Sequence, residues 1–386
     1  MHTVITAARL CTPEKWIEHP VVVVEDGCIT DLQSRGAAAP QPGRLLEFPD
    51  LILAPGLIDI HIHGGASHDV MEPSDSALAQ IERQLIKHGV TGYLPTTVTA
   101  PDDRTLQAVE RLGKAIERVE KDYGRAQPLG IHLEGPFISH EKRGVHPPEN
   151  LVKPSPEAFD RLWQASRGTI RMLTIAPELP GALETIRYAR KLGVHCSVGH
   201  SNATYEETAS AIAAGADHAT HTFNAMRALD HRDPGILGAV LERDELTADI
   251  IVDGIHVHPA IVELFLRAKG PDRAILITDA ISATGMPDGV YKLGGLEVRV
   301  QDNRCEYDGK LAGSVLTLDC AIRNVMSFSG LKLDQAAKLA TLNPAKLLGM
   351  QQERGFLAPG ARADMVVLTP DGQVMHTIIG GQIVEA

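Results

Sequence analysis

The segment Pro55–Gly64, PGLIDIHIHG, contains an apolar strand that ends in a pair of histidines. Because side chains alternate along a strand, His61 and His63 point to the same face. The segment is the first of eight apolar runs of strand length that alternate with helical stretches. Eight βα repeats over about 300 residues predict an α/β fold, most simply a (β/α)8 TIM-like barrel.

The predicted strands are separated by predicted helices. The strands are Leu57–His63, Gly92–Val98, Leu129–Glu134, Ile170–Ala176, Val194–His200, Asp217–His221, Ala248–Val252 and Ala274–Asp279. Predicted helices include Ser74–His88, Asp102–Lys121, Gly181–Lys191, Thr204–Ala214 and Pro259–Ala268. A doubly wound open sheet is the alternative, and it is weakened because no glycine-rich nucleotide turn follows any of the strands.

The two ends of the chain differ in character from the middle. Short strand-like runs dominate both ends, and the N-terminal part contains a loop at 36–43 rich in Ala, Pro and Gly. We expect a small β-sandwich domain built from residues 1–54 and 356–386, beside a barrel over residues 55–355. An alternating segment at about 290–314 predicts a β insertion in that barrel.

Composition excludes several classes of protein. The chain has 386 residues, 44% of them hydrophobic, so it can bury a sizeable core and is not globally disordered. Its 37 basic and 49 acidic side chains give a formal net charge of −12. That balance argues against nucleic acid or an anionic membrane as the main partner.

The cysteines and the termini predict a cellular location. Five cysteines are present, an odd number with no CxxC pair, so we expect neither a disulfide framework nor a thiolate zinc site. No secretory signal is visible, and no apolar run approaches the length of a membrane span. We therefore expect a soluble cytoplasmic protein.

Six polar side chains fall at the carboxyl ends of predicted strands, where TIM-barrel enzymes place their active sites. They are His61, His63, Glu134, His200, His221 and Asp279. One such placement arises easily by chance, but six do not. Imidazole nitrogens and carboxylate oxygens suit Zn²⁺, Fe²⁺, Mn²⁺, Co²⁺ or Ni²⁺, so the pattern predicts a divalent metal centre of one or two ions.

This centre would support hydrolysis. Two ions need a bridging ligand, for which Glu134 is the natural candidate, and no lysine ends the strand Ile170–Ala176 to supply a carbamylated bridge. A divalent ion lowers the pKa of bound water, and Asp279 is placed to take that water's proton and return it to a leaving group. The residues alone leave a structural alternative open, in which His61 and His63 are hydrogen-bonded polar groups and Glu134 is a loop-facing acid.

Strand parity assigns the other polar residues of these strands. It places Cys196 on the same face as His200, but too deep to share a metal ion with it. It turns His195 and His218 toward the helices. Asp59 shares the parity of His61 and is expected one layer deeper, as an acceptor for the residues above it.

Eight short motifs follow one another along nearly the whole chain. They are Pro55–Gly64, His132–Phe137, Lys142–His146, Val198–Ser201, Thr220–Met226, Asp253–His256, Thr278–Ala280 and Leu311–Ser314. In this order they resemble the amidohydrolase superfamily, and more narrowly the N-acetylglucosamine-6-phosphate deacetylase family.

The resemblance implies roles for the predicted ligands. Glu134, His200 and His221 would bind the principal metal ion, and Asp279 would be the general base and acid. Family members vary at the paired histidines, and because this chain keeps both of them a second ion has a place to bind.

The resemblance also implies a set of substrate-binding residues. They are Val145, His146, Asn224, Ala225, Arg232, Asp253, His256, Leu311, Ala312 and Gly313. A sugar phosphate needs cationic groups and N–H donors, which Arg232, His146 and the backbone at 224–225 would supply. An acetamide carbonyl needs a polarising group such as His256. Similar enzymes are homodimers, and Arg232 would reach the neighbouring subunit's site.

The implied reaction converts N-acetyl-D-glucosamine 6-phosphate to D-glucosamine 6-phosphate and acetate, with this small amino sugar phosphate as the partner. The alternatives are the galactosamine epimer or another N-acyl sugar. A cyclic-amide hydrolase or deaminase is disfavoured by the missing bridging lysine and by the loop Lys142–His146. A non-catalytic scaffold is disfavoured because every ligand is retained.

Overall fold

Strands and helices alternate through most of the computed structural model, which describes residues 2–12, 15–34, 43–118 and 124–385. In chain order the strands are β1 (His2–Cys11), β2 (Trp16–Glu18), β3 (Pro20–Glu25), β4 (Cys28–Ser34), β5 (Arg44–Pro55), β6 (Leu57–Ile62), β7 (Gly64–Gly65), β8 (His68–Asp69), β9 (Val90–Thr97), β10 (Gln127–Pro128), β11 (Ile131–Glu134), β12 (Ile170–Ile175), β13 (His195–Val198), β14 (His218–Ala219), β15 (Thr247–Ile251), β16 (Ala274–Ile277), β17 (Gly289–Leu293), β18 (Leu296–Gln301), β19 (Arg304–Tyr307), β20 (Lys310–Leu311), β21 (Met365–Leu368), β22 (Val374–Ile379) and β23 (Gln382–Val384). The α-helices are α1 (Asp75–Lys87), α2 (Asp102–Arg118), α3 (Pro156–Ala165), α4 (Ala182–Lys191), α5 (Tyr205–Ala214), α6 (Gly235–Glu242), α7 (Pro259–Lys269), α8 (Leu318–Ser329), α9 (Leu333–Lys338) and α10 (Leu342–Leu347). None of the helices in these ranges is both long and apolar enough to cross a membrane.

Eight parallel strands among the described residues form the barrel. Around the ring they are β6, β9, β11, β12, β13, β14, β15 and β16. The ring closes where β16 meets β6, because Asp279 N donates to the His61 carbonyl at 3.0 Å and His63 N donates to the Ala280 carbonyl at 2.8 Å. The predicted (β/α)8 architecture is therefore confirmed.

Several barrel strands end earlier than predicted. β13, β14 and β16 each stop two residues before a predicted site residue, namely His200, His221 and Asp279. These three side chains therefore belong to the first residues of the loops and not to the strands. The last residues of the predicted helix 102–121 and most of the predicted loop at 36–43 lie outside the described residues.

Strands from both ends of the chain share one sheet. Its order is β23-β22-β21-β5-β1-β3-β4, with β2 beside β1. β5 connects the two ends, since it pairs in parallel with β1 and antiparallel with β21. An apolar cluster separate from that of the barrel accompanies this sheet and includes Ile5, Leu10, Val22 and Met365. The β-sandwich expected from both termini is built as one continuous sheet, while the domain boundaries stay a prediction.

A four-stranded antiparallel sheet, β17 to β20, follows β16 in the chain. After it, the chain returns to the barrel rim. Ser314 N donates to the Asp279 carbonyl at 2.8 Å, and Ile281 N donates to the Ser314 carbonyl at 3.0 Å. These bonds hold the inserted sheet beside the carboxyl end of β16, where Asp279 lies.

Candidate active site

His61 and His63 lie at the carboxyl end of β6 with both rings buried. Their Nε2 atoms are 3.2 Å apart. The ring of His63 is fixed by a hydrogen bond from its Nδ1 to the Thr96 carbonyl, at 3.0 Å. Strand alternation therefore places the two imidazoles on one face, inside the barrel.

The Glu134 carboxylate, at the end of β11, lies between two pairs of histidines. Its Oε1 atom is 3.0 Å from His221 Nε2, 3.2 Å from His200 Nε2 and 3.4 Å from His61 Nε2. Its Oε2 atom is 3.3 Å from His63 Nε2. The ends of three strands that are distant in sequence, β6, β13 and β14, thus bring four imidazole nitrogens to the carboxylate at the end of a fourth, β11.

Asp279 completes the cluster from the end of β16. Its Oδ1 atom is 3.1 Å from His63 Nε2 and 3.5 Å from His61 Nε2. Two groups of potential metal ligands result, with the ligand atoms in each group within 4.8 Å of one another. They are His61 with His63 and Asp279, and Glu134 with His200 and His221.

Three residues of the cluster have a left-handed backbone conformation. The φ angle is +46° at His200, +30° at His221 and +51° at Asp279. Non-glycine residues rarely adopt this region, and those that do are concentrated at functional sites. The chain turns sharply at these positions, so each side chain is directed by its loop and not by the alternation of the strand.

The predicted orientation of Cys196 is wrong for this reason. Its Sγ atom lies 3.8 Å from the Ile186 carbonyl in α4, on the helix side of the strand. Ser197 instead faces the barrel interior, where its Oγ atom is 2.5 Å from Thr220 Oγ1. Regular alternation from Ser197 would turn His200 outward, and its left-handed backbone returns the ring to the site.

Hydrogen bonding shows that the cluster fits a cation. His200 Nδ1 donates to the Lys142 carbonyl at 2.9 Å, just as His63 Nδ1 donates to the Thr96 carbonyl. A carbonyl only accepts, so Nδ1 of each ring carries a proton, and Nε2, which is bare when the ring is neutral, faces a carboxylate oxygen. Two facing acceptors repel each other unless a proton or a metal ion lies between them. The donor set of nitrogen and oxygen suits a divalent transition metal.

Electrostatics keep both carboxylates ionised. Burial would raise the pKa of Glu134, but the surrounding histidines, His61 most of all, hold it well below its usual range. Burial would likewise raise the pKa of Asp279, yet the hydrogen bond from His63 and the charge of His61 lower it to about 2. Burial alone would lower the pKa of His221, and the adjacent Glu134 raises it to about 9.

Asp59 lies one layer below the histidines, as predicted. Its Oδ1 atom accepts from His61 N at 3.2 Å, and its Oδ2 atom accepts from Thr278 Oγ1 at 2.6 Å. Burial raises its pKa to about 6, against the lowering effect of the Thr278 hydrogen bond. Asp59 thus ties the end of β6 to the residue that precedes Asp279.

A cavity of about 320 Å³ opens above the cluster. Eight of the ten predicted substrate-binding residues line it, namely Val145, His146, Asn224, Ala225, His256, Leu311, Ala312 and Gly313. Asp253 lies behind this lining, where its Oδ2 atom is 2.7 Å from His256 Nδ1. That contact leaves His256 Nε2 available to a bound molecule.

Arg232 is not brought to the cavity of its own chain. Its side chain is 82% exposed, and its nearest ionic partner is Asp230, at 3.9 Å. The described cations that do line the cavity are Lys142 and Lys310. Sequence reasoning missed Lys310, although it lies directly before the motif that begins at Leu311.

Two other groups that were expected to bind the phosphate already contact other groups of the protein. Asn224 N already donates to the His221 carbonyl at 2.9 Å. His146 packs against the ligand cluster, with Nε2 at 3.5 Å from Glu134 Oε2 and Nδ1 at 2.9 Å from Thr99 Oγ1. The position of His146 therefore suits the floor of the cavity better than a distant phosphate.

A model of the amidohydrolase family matches residues 52–384. The chain belongs to the amidohydrolase family. Amidohydrolases depend on metal ions, in agreement with the two ligand groups at the barrel mouth.

Amidohydrolases of known name resemble the chain over almost its entire length. It is 38% identical over 384 residues to an N-acetylgalactosamine-6-phosphate deacetylase of Escherichia coli O157:H7, which covers 99% of both chains. It is 36% identical over 377 residues to an N-acetylglucosamine-6-phosphate deacetylase of Bacillus subtilis (strain 168), covering 97% of this chain and 95% of the relative. A solved structure of a mutant N-acetyl-D-glucosamine-6-phosphate deacetylase from Mycobacterium smegmatis, in complex with N-acetyl-D-glucosamine-6-phosphate, aligns over 100% of both chains with a TM-score of 0.92 and 36% identity.

Replacing the central carboxylate tests the ligand cluster. Glu134→Gln removes the charge shared by both ligand groups, so we expect the affinity of the metal-free protein for Zn²⁺ to fall on the order of 100-fold or more. Titration against a chromophoric chelator measures this affinity. Glu141→Gln is the matched control, because Glu141 lines the same cavity outside both groups. Equal affinities for the two variants would contradict the assignment.

Proposed function

We propose that this protein is a metal-dependent hydrolase that removes the acetyl group of N-acetyl-D-glucosamine 6-phosphate to give D-glucosamine 6-phosphate and acetate. The observation that carries this proposal is the convergence of Glu134, His200, His221 and Asp279 at the floor of one cavity. Relatives with this activity in their names match nearly the whole chain.

The ligand groups support distinct roles. We assign the principal ion to Glu134, His200 and His221, and a second ion to His61 and His63, with Asp279 beside them. Zn²⁺, Fe²⁺, Mn²⁺, Co²⁺ or Ni²⁺ would each suit these ligands. Such an ion, when bound, lowers the pKa of water and polarises a carbonyl.

Asp279 has the position and charge of the general base. It is ionised, lines the cavity, and lies 3.1 Å from His63 Nε2. The attacking water gives its proton to the Asp279 carboxylate while its oxygen forms a bond with the acetyl carbon. As the C–N bond breaks, the protonated Asp279 returns this proton to the amine nitrogen.

The substrate shell would orient the sugar above the cluster. His256 would polarise the acetamide carbonyl, because Asp253 holds its Nδ1 atom and thereby orients the ring. Residues 311–313, at the end of the inserted sheet, would cover the sugar ring together with Val145. These contacts are supported by the cavity lining and by the family motifs.

We place the 6-phosphate near Lys142, Lys310 and an arginine of a second subunit. The exposure of Arg232 supports this homodimer, since the side chain is free to reach a neighbouring site. A cytoplasmic location is also proposed, and the free thiols of all five cysteines suit a reducing compartment.

N-acetyl-D-galactosamine 6-phosphate is the second candidate substrate. It is favoured by one observation, the 38% identity to the Escherichia coli O157:H7 relative named for that sugar. The two epimers differ in the orientation of one hydroxyl group, and the cavity is wide enough at about 320 Å³ for either sugar.

Removing the general base separates chemistry from folding. We expect Asp279→Asn to lower kcat by about 10³, because the neutral amide cannot take a proton from water. The ion assigned to Glu134, His200 and His221 should stay bound in this variant, so its metal content, measured by mass spectrometry, should include that ion. A kcat within about threefold of wild type would remove Asp279 from its role.

Acetate release measures the substrate preference. We expect kcat/KM for N-acetyl-D-glucosamine 6-phosphate to exceed that for the unphosphorylated sugar by about 100-fold or more, because the cationic groups would lose their partner. We expect the gluco epimer to be preferred over the galacto epimer. Equal rates with and without phosphate would contradict the phosphate site, and a galacto preference would select the second candidate.

Mixed dimers test the role of Arg232. In a dimer of Arg232→Ala and Asp279→Asn subunits, one site would combine an intact Asp279 with an intact Arg232 from the other subunit. Mixing the two variants should therefore restore up to about a quarter of the wild-type activity. Activity no greater than the sum of the separate variants would contradict an intersubunit Arg232.

A further inference from the structure

A histidine–aspartate pair lies directly behind the metal-ligand cluster. His218 and Asp249 are fully buried, and His218 Nε2 is 2.9 Å from Asp249 Oδ2. His218 Nδ1 is 2.7 Å from Thr247 Oγ1. Strand parity predicts that His218 faces the helices. This prediction is wrong, because the contact of His218 with Asp249 and its alternation with the inward-facing Thr220 place it on the interior side. Neither residue belongs to the two ligand groups.

Asp249 holds the backbone at His221. The carboxylate Oδ1 atom accepts a hydrogen bond from His221 N, and the Asp249 main-chain carbonyl accepts from Thr222 N at 2.9 Å. Two consecutive amides are therefore anchored on one residue of β15. His221 needs such an anchor because its φ angle of +30° is one that histidine rarely adopts.

The ring of His221 is not held through Nδ1 as the rings of its neighbours are. His200 and His63 each fix their rings by donating from Nδ1 to a main-chain carbonyl. Within the residues that the structure describes, His221 Nδ1 has no hydrogen-bond partner. The direction of its Nε2 atom therefore depends on the backbone that Asp249 anchors.

We propose that Asp249, held in turn by His218, is a positioning residue that orients His221 as a metal ligand. The inference rests on the proposed function, since it assumes that His221 binds the ion. It predicts that metal affinity depends on the oxygen that accepts from His221 N, and not on the negative charge of Asp249.

Two substitutions at one position separate these contributions. Asp249→Ala removes the acceptor, and Asp249→Asn keeps one oxygen for His221 N while its amide offers an N–H to His218. We expect Zn²⁺ affinity of the metal-free full-length protein to fall by about 10- to 100-fold for Asp249→Ala and by no more than about threefold for Asp249→Asn. Competition with a chromophoric chelator gives both values.

Asp217→Ala is the matched control. Asp217 also pairs with a histidine, His195, at 2.7 Å, and accepts from a main-chain amide, Cys196 N, at 3.2 Å, but it lies at the amino end of β14, away from the ligand cluster. We expect this variant to lose thermal stability without losing Zn²⁺ affinity. If Asp249→Ala is too unstable to purify, Asp249→Ser supplies the same comparison, because its short hydroxyl cannot span both partners.

The outcomes distinguish this inference from the function on which it rests. A wild-type protein that does not bind Zn²⁺ would overturn both. Tight binding by the wild type together with unchanged affinity in Asp249→Ala, or an equal loss in Asp249→Ala and Asp217→Ala, would overturn the positioning role alone. Loss in Asp249→Ala that Asp249→Asn restores would support it.

Discussion

The structure depends on one buried carboxylate, Glu134, surrounded by imidazoles. A buried charge is costly unless partners compensate it, and this one has four histidine Nε2 atoms within 3.4 Å. The rings of His63 and His200 are oriented so that their Nε2 atoms face carboxylates. These contacts are all favourable when a cation lies among the groups. The barrel is therefore suited to hold a metal centre.

A layer of hydrogen-bonded polar side chains lies in the barrel interior below the ligand cluster. His132 Nε2 is 2.8 Å from Thr174 Oγ1, which is 2.8 Å from Thr220 Oγ1. Burial holds the pKa of His132 well below its usual range, so this ring is neutral and serves as a hydrogen-bonding member of the layer. Satisfied polar networks of this kind define one arrangement of the strands, which a purely apolar interior would specify less strictly. The precision of the ligand positions follows from this layer together with Asp59 and Asp249.

The sequence was sufficient to predict the barrel because apolar strand runs and helices alternate in a regular order, and parallel strands gather their carboxyl ends at one rim. The same reasoning brought Glu134, His200 and Asp279 together. It failed for Cys196, because left-handed residues after the strands break the alternation on which parity depends. It also missed Lys310, whose place at the cavity is set by the fold of the inserted sheet and not by any local pattern.

Anomalous X-ray diffraction at the zinc absorption edge, from crystals of the protein loaded with Zn²⁺, would locate the ion relative to Glu134. We predict a peak at bonding distance, about 2.0–2.2 Å, from one Glu134 oxygen and from the Nε2 atoms of His200 and His221. Any second ion should give a peak beside His61 and His63. A fully loaded crystal with its zinc peak away from Glu134 would contradict a metal centre at this carboxylate.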